Sequence, residues 1–430
     1  MILAEIQQNI EAHTDGEVLY PCYESYCLSK VPAVVLGLLG IPQPDQALLK
    51  VVQDTVAHRR HPQKVVVLLI DGFGWHQWLQ YSERYDFFNR VTTCGVVAPI
   101  TTVFPSTTAA ALTTIHSGLT PQEHGLPEWW VYFDELDTIA ASLPFTPLGA
   151  HGRDKLLEAG VKPSILFRGK TIYQELGTAQ VPSFTLIRDA YAHSAYSSVV
   201  HKGSVTVPFI NASDLLVNLR QKLVEVSGPA YFFVYWDAVD AIAHTYGPHT
   251  EQYHAELAGF SYLLQRELVA NIPKQVAQDI LLLVTADHGH INVAPRQTLY
   301  LNRYPRLVRS LDLSHTGQRL WPWGSPRDVF LRVQEDRLDE TAAWLTRRLA
   351  GKATVMTSAE ALQRRLFGVG RIHPRFKLRV GNLLILPTRD HLIWFEHLKG
   401  KKFRLRGMHG GLRPDEMLIP FAVATLAALQ

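Results

Sequence analysis

The 430-residue chain is predicted to be an α/β protein with a mostly parallel central sheet layered between helices. Three observations predict this. Short runs dense in Val, Ile, Leu and aromatic residues recur along the chain, helical patterns separate them, and neither an internal repeat nor a long linker interrupts the series. Apolar runs bounded by polar or turn residues are the signature of strands buried on both faces. Their alternation with helices implies a layered sheet.

In chain order, the strand runs are Val65 to Ile70, Tyr231 to Tyr235, Ile280 to Val284 and Leu383 to Leu386. Helical patterns cover Thr108 to His116, Ser213 to Val226, Glu251 to Ala270 and Glu335 to Leu349. The last alternates polar and apolar faces at helical spacing. A hydrophobic content of 47% supports one large core, so residues 1–430 are expected to form a single catalytic domain. Residues 1–60 and about 300–405 carry no evident chemistry, and the second stretch is expected to be an inserted smaller subdomain beside the site.

Composition excludes some roles. Lys and Arg number 42 against 39 Asp and Glu, so no global field favours an anionic membrane or a stable nucleic acid partner. Lys399, Lys401, Lys402, Arg404 and Arg406 alternate with Phe403 and Leu405 and read as a solvated strand face, with a weak pull on anionic substrates. Cys22, Cys27 and Cys94 make an odd count without metal-site or disulfide spacing, and are expected to be free thiols. The opening residues lack a basic segment followed by an apolar one, and no run approaches a membrane span. A cytoplasmic protein is the expectation, with the oligomeric state left open.

In α/β sheets, catalytic groups collect beyond the carboxyl ends of the strands. Here the first run ends at Asp71, the second is followed by Asp237 and Asp240, and the third leads into Asp287 and His288. Asp240 and His244, four apart, would share one helix face and could grip one cation, although an isolated pair at that spacing is more often a solvated ion pair. The apolar residues between them favour a buried setting, where an unpaired carboxylate is costly. Asp287 and His288 can serve one site only where strand yields to turn, and Gly289 supplies it. His409 lies between flanking glycines in RGMHGGL. Together Asp71, Asp240, His244, Asp287, His288 and His409 would give two borderline cations three protein ligands each, with positions left open for catalysis. A nucleophile belongs at a helix N-terminus, and VFPSTTAAALTTIHSG offers Thr108 there, with Thr107 as the alternative; both could instead merely cap the helix.

These residues resemble the type I phosphodiesterase and nucleotide pyrophosphatase branch of the alkaline phosphatase superfamily. The order Asp, nucleophile, Asp-x-x-x-His, Asp-His and a late His before Gly recurs from Asp71 to His409, and Gly118, Leu119, Pro121, His124 and Gly125 reproduce the family stretch G-L-x-P-x-x-H-G. The nucleophile lies ten residues before that opening glycine in several branches, which points to Thr108. The resemblance implies an alkaline-phosphatase-like fold and two divalent cations, Zn²⁺ first, with Mn²⁺ or Fe tolerated by the same ligands. It also implies hydrolysis of phosphodiester or nucleotide pyrophosphate bonds in small phosphate-ester or nucleotide substrates, through a phosphothreonine. Thr108, which cannot mature to formylglycine, argues against a sulfatase. Tyr235 matches a base-stacking tyrosine, while Ala109 and Trp129 replace the aromatic after the nucleophile and a phosphate-holding Asn. Trp129, Trp130 and Tyr132 offer either another aromatic wall or core packing. A phosphomonoesterase, a phosphomutase or a non-catalytic metal-binding protein on the same scaffold are the other readings.

Overall fold

The computed structural model describes residues 3–44, 47–56 and 62–430. Fourteen strands carry the two main sheets. They run β1 (Lys64–Ile70), β2 (Val96–Thr101), β3 (Trp130–Phe133), β4 (Thr138–Ala141), β5 (Thr146–Pro147), β6 (Ser183–Arg188) and β7 (Val205–Phe209). They continue as β8 (Ala230–Trp236), β9 (Ile280–Thr285), β10 (Trp323–Ser325), β11 (Asp328–Leu331), β12 (Ala353–Thr357), β13 (Leu383–Pro387) and β14 (Leu418–Thr425). The helices that matter for the site are α1 (Thr108–Ser117), α2 (Ala212–Glu225), α3 (Ala238–Tyr246) and α4 (Glu251–Leu263), and α5 (Leu338–Arg348) lies farther out.

The central sheet has the order β2-β14-β9-β1-β8-β6-β7. Strand β1 is parallel to β8 and β9, and β6 to β8 and β7. Only β14 runs against its neighbours, β9 and β2. Every residue of β1, β8 and β9 is buried, as continuous apolar runs require in a sheet covered on both faces. Register positions the site. Ile70 stands opposite Trp236, and Leu69 opposite Thr285, so the chain leaves all three central strands at one level.

The second sheet is antiparallel and has the order β12-β13-β11-β10-β3-β4-β5. The apolar run at Leu383 lies here, in β13. Three of its seven strands come from residues 130–147, so the chain beyond residue 300 builds on an earlier antiparallel unit through the β10–β3 pairing.

Two expectations about local structure differ. The basic run after residue 398 is no strand: Gly400 turns the chain in the left-handed region (φ +81°), and regular pairing resumes only at Gly407–Met408, against Ile291–Asn292. Without a neighbouring edge, Leu398 and Leu405 stay exposed. The helix expected through Ala270 is α-helical to Leu263 and widens into a π-turn over Leu264–Ala270. All three cysteines are free thiols, and among the described residues no helix is long and apolar enough to cross a membrane.

The sheets are joined by a fully buried ion pair. Arg327, in the β10–β11 turn, donates from Nε and Nη2 to both Glu416 oxygens at 2.9 and 2.8 Å, and from Nη1 to the His391 carbonyl. Glu416 also accepts from the Gly411 N–H, so the pair anchors the loop that carries His409. Removing one partner of such a pair strands a buried charge at a cost of about 3–5 kcal/mol. Arg327→Met is therefore expected to lower the free energy of chemical denaturation by roughly that much, with the Arg327→Met/Glu416→Leu double variant recovering part of the loss.

Candidate active site

Each candidate residue leaves the central sheet at its carboxyl edge or joins it from a loop pinned there. Asp71 follows β1 directly, its N–H donating to the Trp236 carbonyl. The next residue, Gly72, turns at φ +69°, and its N–H donates to Asp287 Oδ1. Asp287 Oδ1 also accepts from the His288 N–H, and Asp71 Oδ2 accepts the Tyr235 hydroxyl. Each carboxylate thus spends one oxygen on anchoring. The other oxygens, Asp71 Oδ1 and Asp287 Oδ2, are buried without a hydrogen-bond partner and lie 3.5 and 3.2 Å from His288 Nε2.

The imidazoles are oriented by one device used three times. Nδ1 of His244 lies 2.8 Å from the Gly407 carbonyl, that of His288 3.1 Å from the Gly289 carbonyl, and that of His409 2.9 Å from the Ser106 carbonyl. A carbonyl oxygen only accepts, so the proton of each neutral ring sits on Nδ1 and the Nε2 lone pair faces the site. His244 and His409 Nε2 then stand 3.2 Å apart, lone pair to lone pair. That arrangement asks for a cation between them.

Asp240 sits in the first turn of α3 and His244 in its last, with Nε2 3.4 Å from Asp240 Oδ1. Donor atoms of Asp71, Asp287 and His288 lie mutually within 4.8 Å, as do those of Asp240, His288, His290 and His409. All six candidate ligands therefore converge. The His288 and His409 rings, stacked at 3.5 Å, join the two groups. Asp237, the other carboxylate after β8, is taken up by Arg188 and Tyr191.

The electrostatics agree with a site made for divalent cations. Burial, then the Asp287 and Asp240 carboxylates, push Asp71 well above the ordinary carboxylate range. Burial also works against charge on Asp240, but His244, His290 and His409 hold it well below that range. Burial and the neighbouring imidazoles keep His409 neutral. Acceptors so crowded in a low dielectric are relieved by a shared proton or by a cation among them. The residues present fit two such ions.

Thr108 is the first residue of α1, and its Oγ1 lies 3.2 Å from His288 Nε2. Thr107 takes the N-cap position in extended conformation without a capping bond, and its hydroxyl turns away toward the Pro127 carbonyl. Small buried residues Ala109, Ala110 and Ala111 let α1 lie close on the sheet and aim its free N–H groups at the site. The Gly118–Gly125 stretch works structurally. Gly118 ends α1 at φ +75°, and Thr120 and Glu123 form a capping box for the next helical turn.

Thr108 lines two cavities. The inner one, about 160 Å³, is lined by Leu112, Leu143, Ile187 and Phe233, by the polar side chains of Arg153, His116 and His201, and by Tyr235 and Trp129. The outer one, about 400 Å³, is bounded by Trp129, Trp130, Trp394, His244 and His409. Trp129 lines both, Trp130 the outer one alone, and Tyr132 belongs to the core against Trp323. The Tyr235 hydroxyl is committed to Asp71, leaving only its ring for a ligand.

His290 was missed in the sequence. Its Nε2 lies 2.6 Å from Asp240 Oδ1, its Nδ1 is buried without a partner, and burial pushes its pKa down to about 4. The signal was available in Asp287-His288-Gly289-His290, since residues two apart on extended chain face the same way. Glu128 was missed as well. Fully buried at the outer cavity, it is pushed up to about 8 by burial, beside Asp328.

A model of the type I phosphodiesterase / nucleotide pyrophosphatase family matches residues 65–412. Among solved structures, murine ectonucleotide pyrophosphatase / phosphodiesterase 5 is similar at 19% identity and a TM-score of 0.62, covering 84% of this chain and 88% of that one. An inactive threonine-to-alanine variant of the murine protein, in complex with AMP, is similar at 19% identity and TM-score 0.61, over 84% and 87% of the two chains. The human counterpart follows at 17% identity and TM-score 0.58, over 84% and 87%. No curated protein sequence matches the chain.

Two outcomes are expected from this geometry. His290→Leu removes the neutral donor that orients Asp240 and should weaken retention of one divalent ion about 10–100-fold in chelator competition, whereas His290→Gln, which can still donate, should lose less. Glu128 has its folded-state pKa raised from 4.5 to about 8, so the folded chain binds the extra proton and stability falls as pH rises through that window. Melting temperatures measured from pH 5 to 8 should decline, and Glu128→Gln should flatten the decline.

Proposed function

The chain belongs to the type I phosphodiesterase / nucleotide pyrophosphatase family, hydrolases of phosphodiester and diphosphate bonds, and we propose that it works through a phosphothreonine at Thr108 within a two-metal site. The observation that carries this reading is the Thr108 hydroxyl, at the first position of α1 and 3.2 Å from an imidazole nitrogen, beside the unpaired oxygens of Asp71 and Asp287 and in one cavity lining with Asp240, His244 and His409. One cation would be held by Asp71, Asp287, His288 and Thr108, the other by Asp240, His244 and His409. Zinc suits three imidazoles and three carboxylates best, and Mn²⁺ or Fe tolerate the same set.

Bound divalent ions supply Lewis acidity, which favours the Thr108 alkoxide and screens the phosphoryl oxygens. The chain's own residues do the rest. Thr108 Oγ1 attacks phosphorus in line, its proton leaves to solvent, and the bond to the departing alcohol or phosphate breaks. Free N–H groups at the start of α1 hold equatorial oxygens, where negative charge accumulates. Water then attacks the phosphothreonine, breaks the Oγ–P bond and regenerates the hydroxyl.

Two cavities lined by Thr108 leave room for two substituents on phosphorus, which favours a diester or diphosphate over a monoester, which needs room for one. The similar murine variant, inactive with threonine replaced by alanine and bound to AMP, supports a nucleotide in one cavity and threonine as the nucleophile. Tyr235 and Trp129 are placed to border that nucleotide.

Thr108→Ala is expected to lower turnover of a nitrophenyl nucleotidyl diester at least about 10³-fold, while bound metal stays near two ions per chain. Nitrophenyl phosphate should be the poorer substrate of the wild-type protein. Full activity in Thr108→Ala would rule out this nucleophile, and a preference for the monoester would favour the phosphomonoesterase reading.

A further inference from the structure

A second cavity system, adjoining the outer cavity at Phe403 but lined by none of the candidate ligands, carries a strongly asymmetric charge. A groove of about 1090 Å³ is lined by Arg296 and Arg303 from one segment, Arg348 and Lys352 from the end of α5 and the turn after it, and Lys402, Arg404 and Arg406 from the loop before His409. Among the described residues no carboxylate lines it. Nearby cations outside it are neutralised, Arg306 by Glu340 and Arg332 by Asp312. The whole chain has a formal net charge of only +3, so the fold has gathered into one concavity a charge that composition averages away.

The chemistry of the lining selects the ligand. Guanidinium and ammonium groups only donate hydrogen bonds, and they dominate the lining. Of the other polar groups, the Thr298 hydroxyl donates to the Pro295 carbonyl and the Tyr300 hydroxyl accepts the Phe403 N–H, while the Gln297 amide and the Tyr304 hydroxyl add two groups that can also accept. A ligand rich in donors, such as an acidic peptide with its amide N–H groups, would leave most of them unmatched. Single-stranded nucleic acid needs open aromatic faces for its bases. Tyr300 is 6% exposed, the Tyr304 ring is covered by the Arg348 guanidinium at 5.2 Å and flanked edge-on by Trp344, and partly exposed Phe403 offers a single ring where successive bases need several. A chain of acceptors with repeated negative charge and no base matches this lining best.

We propose that this groove is a binding site for a linear inorganic polyphosphate chain. Arginine forks match tetrahedral phosphate oxygens, and five of the seven cations are arginines. Phe403 lines both the groove and the outer cavity at Thr108, so a bound chain ends beside the candidate active site. Binding itself does not depend on the catalytic reading.

The test is calorimetric titration of the full-length Thr108→Ala protein with polyphosphate of defined length, at low and high salt. Polyphosphate is expected to bind, with an affinity that falls steeply with salt as counter-ions are released. The triple variant Arg303→Glu/Arg348→Glu/Lys352→Glu should bind at least about tenfold more weakly. A control with the same change of net charge outside the groove, Arg309→Glu/Arg347→Glu/Arg371→Glu, should bind as the parent does, and unchanged circular dichroism identifies folded variants. Equal losses in both triple variants would overturn the proposal, as would oligothymidylate or polyglutamate of equal charge binding as tightly. Diester turnover by the wild-type protein is scored separately: turnover without polyphosphate binding sinks the groove alone, and binding without turnover sinks the catalytic reading alone.

Discussion

Bare acceptors crowd together at the carboxyl edge of the central sheet, and much of the surrounding structure exists to hold them there. Asp71 Oδ1 and Asp287 Oδ2 are buried without partners, and the Nε2 lone pairs of His244, His288 and His409 are turned inward by carbonyls behind them. In a low dielectric such groups repel one another and resist losing water. Only a frame stable in its own right can keep them facing. The shared register of β1, β8 and β9 supplies one side, and the Arg327–Glu416 pair with its grip on Gly411 supplies the other.

That frame also explains the small residues nearby. A β-carbon at Gly289 would collide with the Asp415 carbonyl, and one at Gly72 with His290. Ser106, just ahead of α1, accepts the Gly410 N–H and donates to the Gly411 carbonyl while its own carbonyl fixes His409. The helix that opens with Thr108 and the last imidazole are thereby held as one unit, as the proposed in-line attack requires, since misplacement of about 1 Å is costly.

Much of this was legible in the sequence, for identifiable reasons. Buried parallel strands announce themselves as unbroken apolar runs, so Asp71, Asp240, Asp287 and their partners could be placed at strand ends from the residue pattern alone. Thr108 was separable from Thr107 only by a spacing, and the fold adds the direction of each hydroxyl. His290 escaped because a third polar residue after Asp-His looks like turn, although i, i+2 alternation pointed to it. The run from Lys399 to Arg406 was misread because alternation imitates a strand when no partner edge is considered. Its meeting with Arg296, Arg303, Arg348 and Lys352 depends on contacts distant in sequence, which no local pattern records. Trp129 and Trp130 part company with Tyr132 for the same reason, since the second sheet decides which ring faces the site and which faces the core.

The central claim is that two cations sit among these six ligands with Thr108 at their boundary. Anomalous X-ray scattering at the zinc edge, from crystals of the protein grown with zinc, tests it most directly. The account predicts two peaks, one among Asp71, Asp287 and His288 and the other among Asp240, His244 and His409. A single peak, or ions bound elsewhere with both clusters left to water, would contradict it.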